Sequence, residues 1–255
     1  MTSPKTKIIG IILAGGKGTR MDSKDKNKTA LDFNGRPLLT YGMDLFRHDN
    51  TQLLVVKGAL GESVAKVVRE YDPQIWLATQ RYRLGTGHAA LVADRFLVKK
   101  GVKPKIVLVG YGDHMMFYHQ KTVEKLIKAI ENKGAVVSVV VAEVPDPKGL
   151  GRVVRNETGA VEKIVEEKNA TEVEKEIRQV NAALYAFDYD FFHEYLTKLK
   201  RNQVTNEYYL TDLIEMAVHD GKIVWPVIVP FEEMGIGINT KEELAKSKDL
   251  FKQTH

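Results

Sequence analysis

The sequence predicts an α/β fold: a Rossmann-like, mostly parallel mixed sheet flanked by helices, with a small antiparallel lobe. Three observations carry this expectation. Short apolar runs rich in β-branched residues, at 8–13, 53–56, 75–78, 106–109 and 136–141, lack clean alternation, as strands buried on both faces do. Helical patterns stand between the runs, and strand–helix alternation of this kind implies right-handed crossovers in a mainly parallel sheet. After Val141 the rhythm breaks into shorter pieces that read as an antiparallel extension of the same sheet.

Each element has its own warrant. Residues 8–13 run directly into a glycine-rich turn. Val64, Val67, Val68 and Tyr71 fall at i, i+3, i+4 and i+7, one face of a helix. Val123, Leu126, Ile127 and Ile130 repeat that spacing, with Gly134 placed to end the helix. Pro145, Pro147 and Gly149 mark a loop. Arg152–Arg155 and Val161–Val165 read as strands joined by the turn-like Asn156-Glu157-Thr158-Gly159. Thr171 and Glu174 have the spacing of a capping box, which opens a short helix. Residues 180–187 read as a further strand. A helix is expected to include Leu210, Leu213, Ile214 and Ala217 and to stop near Gly221, with a strand at Ile223–Val229 behind it. Thr240 and Glu243 form a second capping box, opening a final helix.

Composition narrows the chemistry. The 255 residues are 44% hydrophobic, enough for a sizeable core. There is no cysteine, which removes disulfides, thiolate metal sites and cysteine nucleophiles together. Lys plus Arg number 38 and Asp plus Glu 33, a net charge of +5. That excess suits anionic ligands and does not by itself argue for nucleic acid. No apolar run approaches the ~20 residues of a membrane span. Residues 1–7 are polar, so a cytoplasmic protein is the expectation, with neither nucleic acid nor membrane as partner. The histidines other than His88 show no metal-ligand spacing, and the Lys99-Lys100 and 198–201 clusters read as solvated charge.

The first apolar run ends in Leu13-Ala14-Gly15-Gly16-Lys17-Gly18-Thr19-Arg20-Met21. Glycines let a backbone turn sharply and bring its N–H groups close to an anion. Two familiar loops are excluded. The ATPase phosphate loop needs Ser or Thr after its lysine, and Lys17 is followed by Gly18; the dinucleotide fingerprint needs a small residue where Met21 stands. Further along come Asn27-Lys28-Thr29-Ala30-Leu31, Gly35-Arg36-Pro37, Gln80, Leu84-Gly85-Thr86-Gly87-His88-Ala89 and Tyr111-Gly112-Asp113. The second half adds Gly149-Leu150-Gly151-Arg152-Val153, Val165-Glu166-Glu167-Lys168-Asn169-Ala170-Thr171, Val180-Asn181, Glu207-Tyr208-Tyr209-Leu210-Thr211-Asp212 and Gly237-Ile238-Asn239. In this order, over nearly the whole chain, the series resembles the sugar-phosphate nucleotidyltransferases. It is most similar to the uridyltransferase domain of bacterial bifunctional N-acetylglucosamine-1-phosphate uridyltransferase/glucosamine-1-phosphate acetyltransferases.

The resemblance implies a single domain: residues 1–141 as the nucleotide-binding half, 142–239 as the sugar-binding half and 240–255 as the C-terminal helix. It implies attack of a sugar-1-phosphate on the α-phosphorus of a nucleoside triphosphate, UTP favoured, with Mg²⁺ as cofactor and pyrophosphate released. N-acetylglucosamine-1-phosphate is the sugar it favours. Such a reaction needs positioning and charge neutralisation, with no side-chain nucleophile. By resemblance, Arg20 and Lys28 serve the α-phosphate. Leu13, Ala14, Gly15, Gly16, Gly18 and Thr19 surround the nucleotide, and backbone N–H groups from Gly15 to Thr19 hold its outer phosphates. Gln80, Gly85 and Thr86 read the base together with Ala14 and Gly15. Gly151, Glu166 and Asn181 meet the sugar; periodicity leaves Glu166 and Glu167 undistinguished, and the Val-Glu-x-Lys-x-Ala-Thr pattern favours Glu166. Asp113 and the amide oxygen of Asn239 would hold the metal, since Mg²⁺ keeps phosphate and water among its ligands. His88 reads as opening or capping a helix.

Some residues depart from the family pattern. Asn27 stands where a proline usually precedes the lysine, His114-Met115-Met116 replaces a proline-containing turn, and Ala182-Ala183 follows Asn181 in place of Thr-Gly. These departures leave room for dTTP or CTP with another sugar or alcohol phosphate, or for a non-catalytic nucleotide-sugar-binding protein. The hexapeptide repeats of the acetyltransferase β-helix are lacking. Acetyl transfer is therefore not expected, and a monomer or weak homo-oligomer is.

Overall fold

The computed structural model describes residues 8–16, 21, 25–48 and 50–254. At its centre β1 (Ile8–Ala14) lies between β4 (Thr51–Lys57) and β6 (Ile106–Tyr111), and β5 (Trp76–Thr79) borders β4; all are parallel. Beyond β6 the sheet continues with β10 (Gln179–Asp188), then β7 (Ala135–Glu143), then the edge strand β11 (Ile223–Val229). β10 runs antiparallel to both neighbours, whereas β11 is parallel to β7. The hairpin of β8 (Arg152–Arg155) and β9 (Val161–Val165) branches from β10 as the antiparallel lobe. A two-residue hairpin, β2 (Asp32–Phe33) with β3 (Arg36–Pro37), stands apart.

Side-chain alternation divides the core into two layers. Ile12, Leu53, Val55 and Leu108 point to one face of the sheet, against α1 (Leu38–Phe46), α2 (Gly61–Tyr71) and α4 (Gln120–Lys133). Ile9, Ile11, Leu54, Val107 and Val109 point to the other, against α3 (Thr86–Lys99), α6 (Tyr189–Leu196) and α7 (Asp212–His219). Helices on both faces explain why the strand sequences do not alternate in polarity. The capping box expected at Thr171 opens the one-turn α5 (Glu172–Lys175). One-turn α8 (Phe231–Met234) then follows β11. The second expected box has Glu243 accepting from Asn239 N–H and Thr240 N–H at the start of α9 (Lys241–Thr254). Phe251 of α9 completes an edge-to-face aromatic cluster with Phe33, Tyr41 and Phe117. No helix among the described residues is long and apolar enough to cross a membrane.

The sequence-based boundaries differ in two respects. Leu210 lies outside the helix it was assigned to: α7 begins at Asp212, and the Leu210 N–H instead donates to Thr86 Oγ1 at 3.0 Å. Helices α1 and α6 have no counterpart in the periodicity, and α3 is marked only by the expectation that His88 opens or caps a helix, which its start at Thr86 meets. In α1 nearly every residue is buried, so there is no polar face to give a 3.6-residue rhythm. The stripe α3 buries is mostly Gly87, Ala89, Ala90 and Ala93.

Candidate active site

The parallel strands all deliver their carboxyl ends to one side of the sheet, where open α/β folds bind ligands. A groove of about 480 Å³ lies there. Leu13, Ala14, Gly15 and Gly16 enter it from β1, Gln80 from β5, and Tyr111 and Asp113 from β6; Lys28, Gly85, Thr86, Glu166 and Asn239 complete the wall. The structure thus brings these expected site residues together. Gly18, Thr19 and Arg20, and Lys17 with them, lie outside the described residues.

Lys28 sits on a 3-10 turn, Lys28–Ala30, whose N-cap is Asn27. Asn27 is fully buried and every polar atom of its side chain is used. Its amide nitrogen donates its two hydrogens to the carbonyls of Gly16 (2.7 Å) and Ala59 (2.9 Å), with the Ala14 carbonyl a longer, shared contact at 3.3 Å. Its amide oxygen accepts from the Thr29 N–H and hydroxyl, and its backbone N–H donates to Ser63 Oγ. The residue that departs from the family pattern therefore ties the glycine loop, the loop after β4 and the lysine turn into one unit.

The Lys28 ammonium points at Asp113, with which it forms an ion pair, and donates to Asn239 Oδ1 and the Ile238 carbonyl at 3.1 Å each. Asp113 is held by the Ile238 N–H on its carbonyl, and Asn239 by the Glu243 carboxylate that caps α9. Three oxygens thus converge on one positive charge. A hard divalent cation takes the same donor type, so these residues fit a Mg²⁺ site that phosphate and water would complete. No cluster of three or more His, Asp or Glu side chains offers another metal cage among the described residues. Beside Asp113, His114 is buried with its Nε2 unpartnered, and burial lowers its pKa, which keeps it neutral.

At another part of the groove Gly85 has φ +93°, and a Cβ there would stand 2.4 Å from the Tyr208 carbonyl. Only glycine lets these two segments lie together, joined by Tyr208 N–H to Leu84 O (2.7 Å) and Gly87 N–H to Tyr208 O (2.8 Å). Gln80 is 5% exposed and donates its amide to the Gly85 carbonyl at 3.0 Å. Thr86 hydrogen-bonds to Tyr111, whose phenol bonds in turn to Tyr185. Burial pushes the Tyr111 phenol well above its ordinary pKa.

Tyr185 continues this row to Asn181. Asn181 follows Gly151 in space, its N–H donating to the Gly151 carbonyl at 2.8 Å; a Cβ on Gly151 would lie 3.6 Å from Glu166 Oε2. Gly151, Glu166 and Asn181 therefore form one corner. Glu166 accepts from the Thr211 hydroxyl at 3.0 Å, and its pKa is raised by burial and by Glu207. Glu167 points elsewhere, paired with Arg152 Nη2 at 2.7 Å. The sequence reading missed Arg83, Glu207 and Tyr209, which also line the groove, and assigned Tyr111 no role. All four stand inside or beside motif segments, but nothing local marks the direction in which they face.

Residues 9–229 match the nucleotidyl transferase family model. Curated relatives include the bifunctional protein GlmU of Clostridium acetobutylicum, 36% identical over 92% of this chain, and that of Oceanobacillus iheyensis, 35% identical over 95%. The chain spans about half the length of these relatives, 50% and 52%. Among solved structures, a Bacillus anthracis protein with the provisional name glucose-1-phosphate thymidylyltransferase superposes with a TM-score of 0.74, covering 97% of this chain and 96% of its own at 20% identity. That likeness speaks to the fold. Taken with the matched residues 9–229 and the ordered groove at the sheet's carboxyl edge, these findings establish that the chain belongs to the nucleotidyl transferase family.

Proposed function

We propose that this protein joins UTP to a sugar-1-phosphate, N-acetylglucosamine-1-phosphate before others, giving a UDP-sugar and pyrophosphate with Mg²⁺ as cofactor. The observation that carries the reading is the convergence of Lys28, Asp113 and Asn239 beside the glycine loop, between a Gln80–Gly85 end and a Gly151–Glu166–Asn181 corner. In this reading a phosphate oxygen of the sugar-1-phosphate attacks the α-phosphorus in line and pyrophosphate leaves. Lys28, with Arg20 from the glycine loop, neutralises the charge that gathers on the equatorial oxygens. Backbone N–H groups of the glycine loop hold the β- and γ-phosphates. Asp113 and Asn239 would hold Mg²⁺, which when bound supplies further charge neutralisation between the phosphates. Glu166 accepts from sugar hydroxyls, and Asn181 faces the acetamido group or the sugar phosphate.

The direction of the Gln80 amide supports uracil or thymine. Its nitrogen is engaged by the Gly85 carbonyl, which can only accept, so its oxygen is the free end and suits an imino N–H. Thymine differs from uracil by one methyl, which a pocket separates weakly. The test is pyrophosphate release from UTP, dTTP and CTP, each with a panel of sugar-1-phosphates and Mg²⁺. UTP with N-acetylglucosamine-1-phosphate is expected to be fastest. Absence of pyrophosphate from every pair would sink the reading, and a CTP-only product would overturn the base assignment.

A further inference from the structure

Gln80 has a second partner that the reaction does not explain. Its amide nitrogen lies 3.0 Å from His88 Nδ1, on the first turn of α3, as well as 3.0 Å from the Gly85 carbonyl. An amide nitrogen has two hydrogens and no lone pair to offer, so both neighbours must accept. A histidine nitrogen accepts only when the proton is on the other ring nitrogen. The Gly85 carbonyl holds the amide nitrogen on this side, so the tautomer that fits the contact is the one with Nδ1 unprotonated. Burial, with Arg95 and Arg201 nearby, lowers the His88 pKa and keeps the ring neutral. With both amide hydrogens taken, the Gln80 oxygen is left facing Gly15, where a Cβ would stand 2.6 Å from it. Turning the amide over would set its oxygen against a carbonyl and a ring lone pair and lose both bonds.

We propose that His88 is a positioning residue that locks the Gln80 amide with its oxygen toward the groove, so that the site accepts bases carrying an imino N–H and refuses those presenting a bare ring nitrogen. This rests on the reading of the groove as a nucleotide site. Uracil, thymine and guanine meet the requirement, whereas cytosine and adenine present a lone pair at the equivalent ring position.

The test is calorimetric binding of UTP and of CTP, without sugar phosphate, to wild type, His88→Leu and His88→Asn, with melting temperatures measured alongside. Wild type is expected to prefer UTP. His88→Leu, which has no acceptor, should lower the UTP-to-CTP affinity ratio about tenfold, the worth of one hydrogen bond in a buried site. His88→Asn, whose amide oxygen reaches the place of Nδ1, should keep most of the ratio. An unchanged ratio in His88→Leu, no UTP preference in wild type, or equal losses of ratio in both variants would each overturn the proposal. Because binding is read without turnover, the two readings fail separately. UTP-selective binding that His88→Leu abolishes, with no pyrophosphate from any sugar phosphate, would end the transferase reading and leave the His88 assignment standing.

Discussion

The Lys28 ammonium occupies the point where Asp113, Asn239 and the Ile238 carbonyl aim their oxygens. In the proposed Mg²⁺ site, lysine and the cation would compete for the same donors until a phosphate drew the lysine away. Replacing Lys28 by Met should therefore raise Mg²⁺ affinity several-fold in the absence of nucleotide while reducing turnover by a hundredfold or more; calorimetric titration with MgCl₂ and steady-state rates check the two halves. Asp113→Ala should lose both. Asn27 makes a different demand. Asn27→Ala leaves the Ala14, Gly16 and Ala59 carbonyls short of a donor, and one buried group so stranded costs about 1–3 kcal/mol. The expected result is a melting temperature lower by several degrees and a kcat/KM for UTP reduced at least tenfold. Asn27→Pro suits the backbone, which has φ −63° and ψ 145°, but it also deletes the N–H that donates to Ser63 Oγ, so it should be no more stable than the alanine variant and should likewise lose the clamp. At this scale the motif order named Lys28, Asp113, Glu166 and Asn239, because each stands in a recognisable segment. It could not show that Asn27 bonds to three separate loops or that His88 faces Gln80, since both depend on contacts between segments distant in the chain.

Elements were legible where local chemistry decides them. Gly134 was expected to stop a helix, and it caps α4 at φ +66°. Among the described residues the only atom within 4 Å of its missing Cβ is Ile223 Cδ1 at 3.9 Å, so a substitution there tests backbone conformation with little steric confusion. Gly134→Ala should cost about 1 kcal/mol, the usual penalty for a side chain in the left-handed region, and Gly134→Asn clearly less. Denaturant unfolding of the three proteins measures it; equal stability of alanine and glycine variants would show that the cap is relaxed. Both capping boxes were legible for the same reason, their bonds joining residues three apart. The bulge in β10 was not legible. Its register shifts between Asn181 and Tyr185, with Ala183 at φ +56°, a conformation the sequence gives no glycine to announce. That irregularity lets Tyr185 reach back to Asn181 and shapes the corner with Gly151 and Glu166.

Across the whole molecule, strand–helix alternation was enough to expect a parallel sheet and to direct attention to the loops after β1 and β6. The insertion of β10 between β6 and β7 was beyond local reading, because strand order is set by pairings far apart in sequence. One consequence of assembling the groove from both halves of the chain is electrostatic. Glu166 from the loop after β9 meets the segment carrying Glu207 and Asp212, and Glu215 adds charge from α7. Asp212 stands at the start of α7, where the helix dipole favours a carboxylate. Burial, then Glu215 and Glu166, nonetheless push its pKa up to about 6. A carboxyl whose folded pKa is raised destabilises the fold in its charged form. The penalty is therefore complete above about pH 6, shrinks as pH falls and the folded state takes up the proton, and is gone below the unfolded value of 3.8. Asp212→Asn removes it. The variant should melt higher than wild type at pH 8, by a margin that narrows between pH 6 and pH 4, with Glu166, also raised, adding to the slope both proteins share. Melting curves of the two proteins from pH 8 to pH 4 test this. A margin independent of pH would mean that Asp212 is already relieved by water or by a partner in the groove.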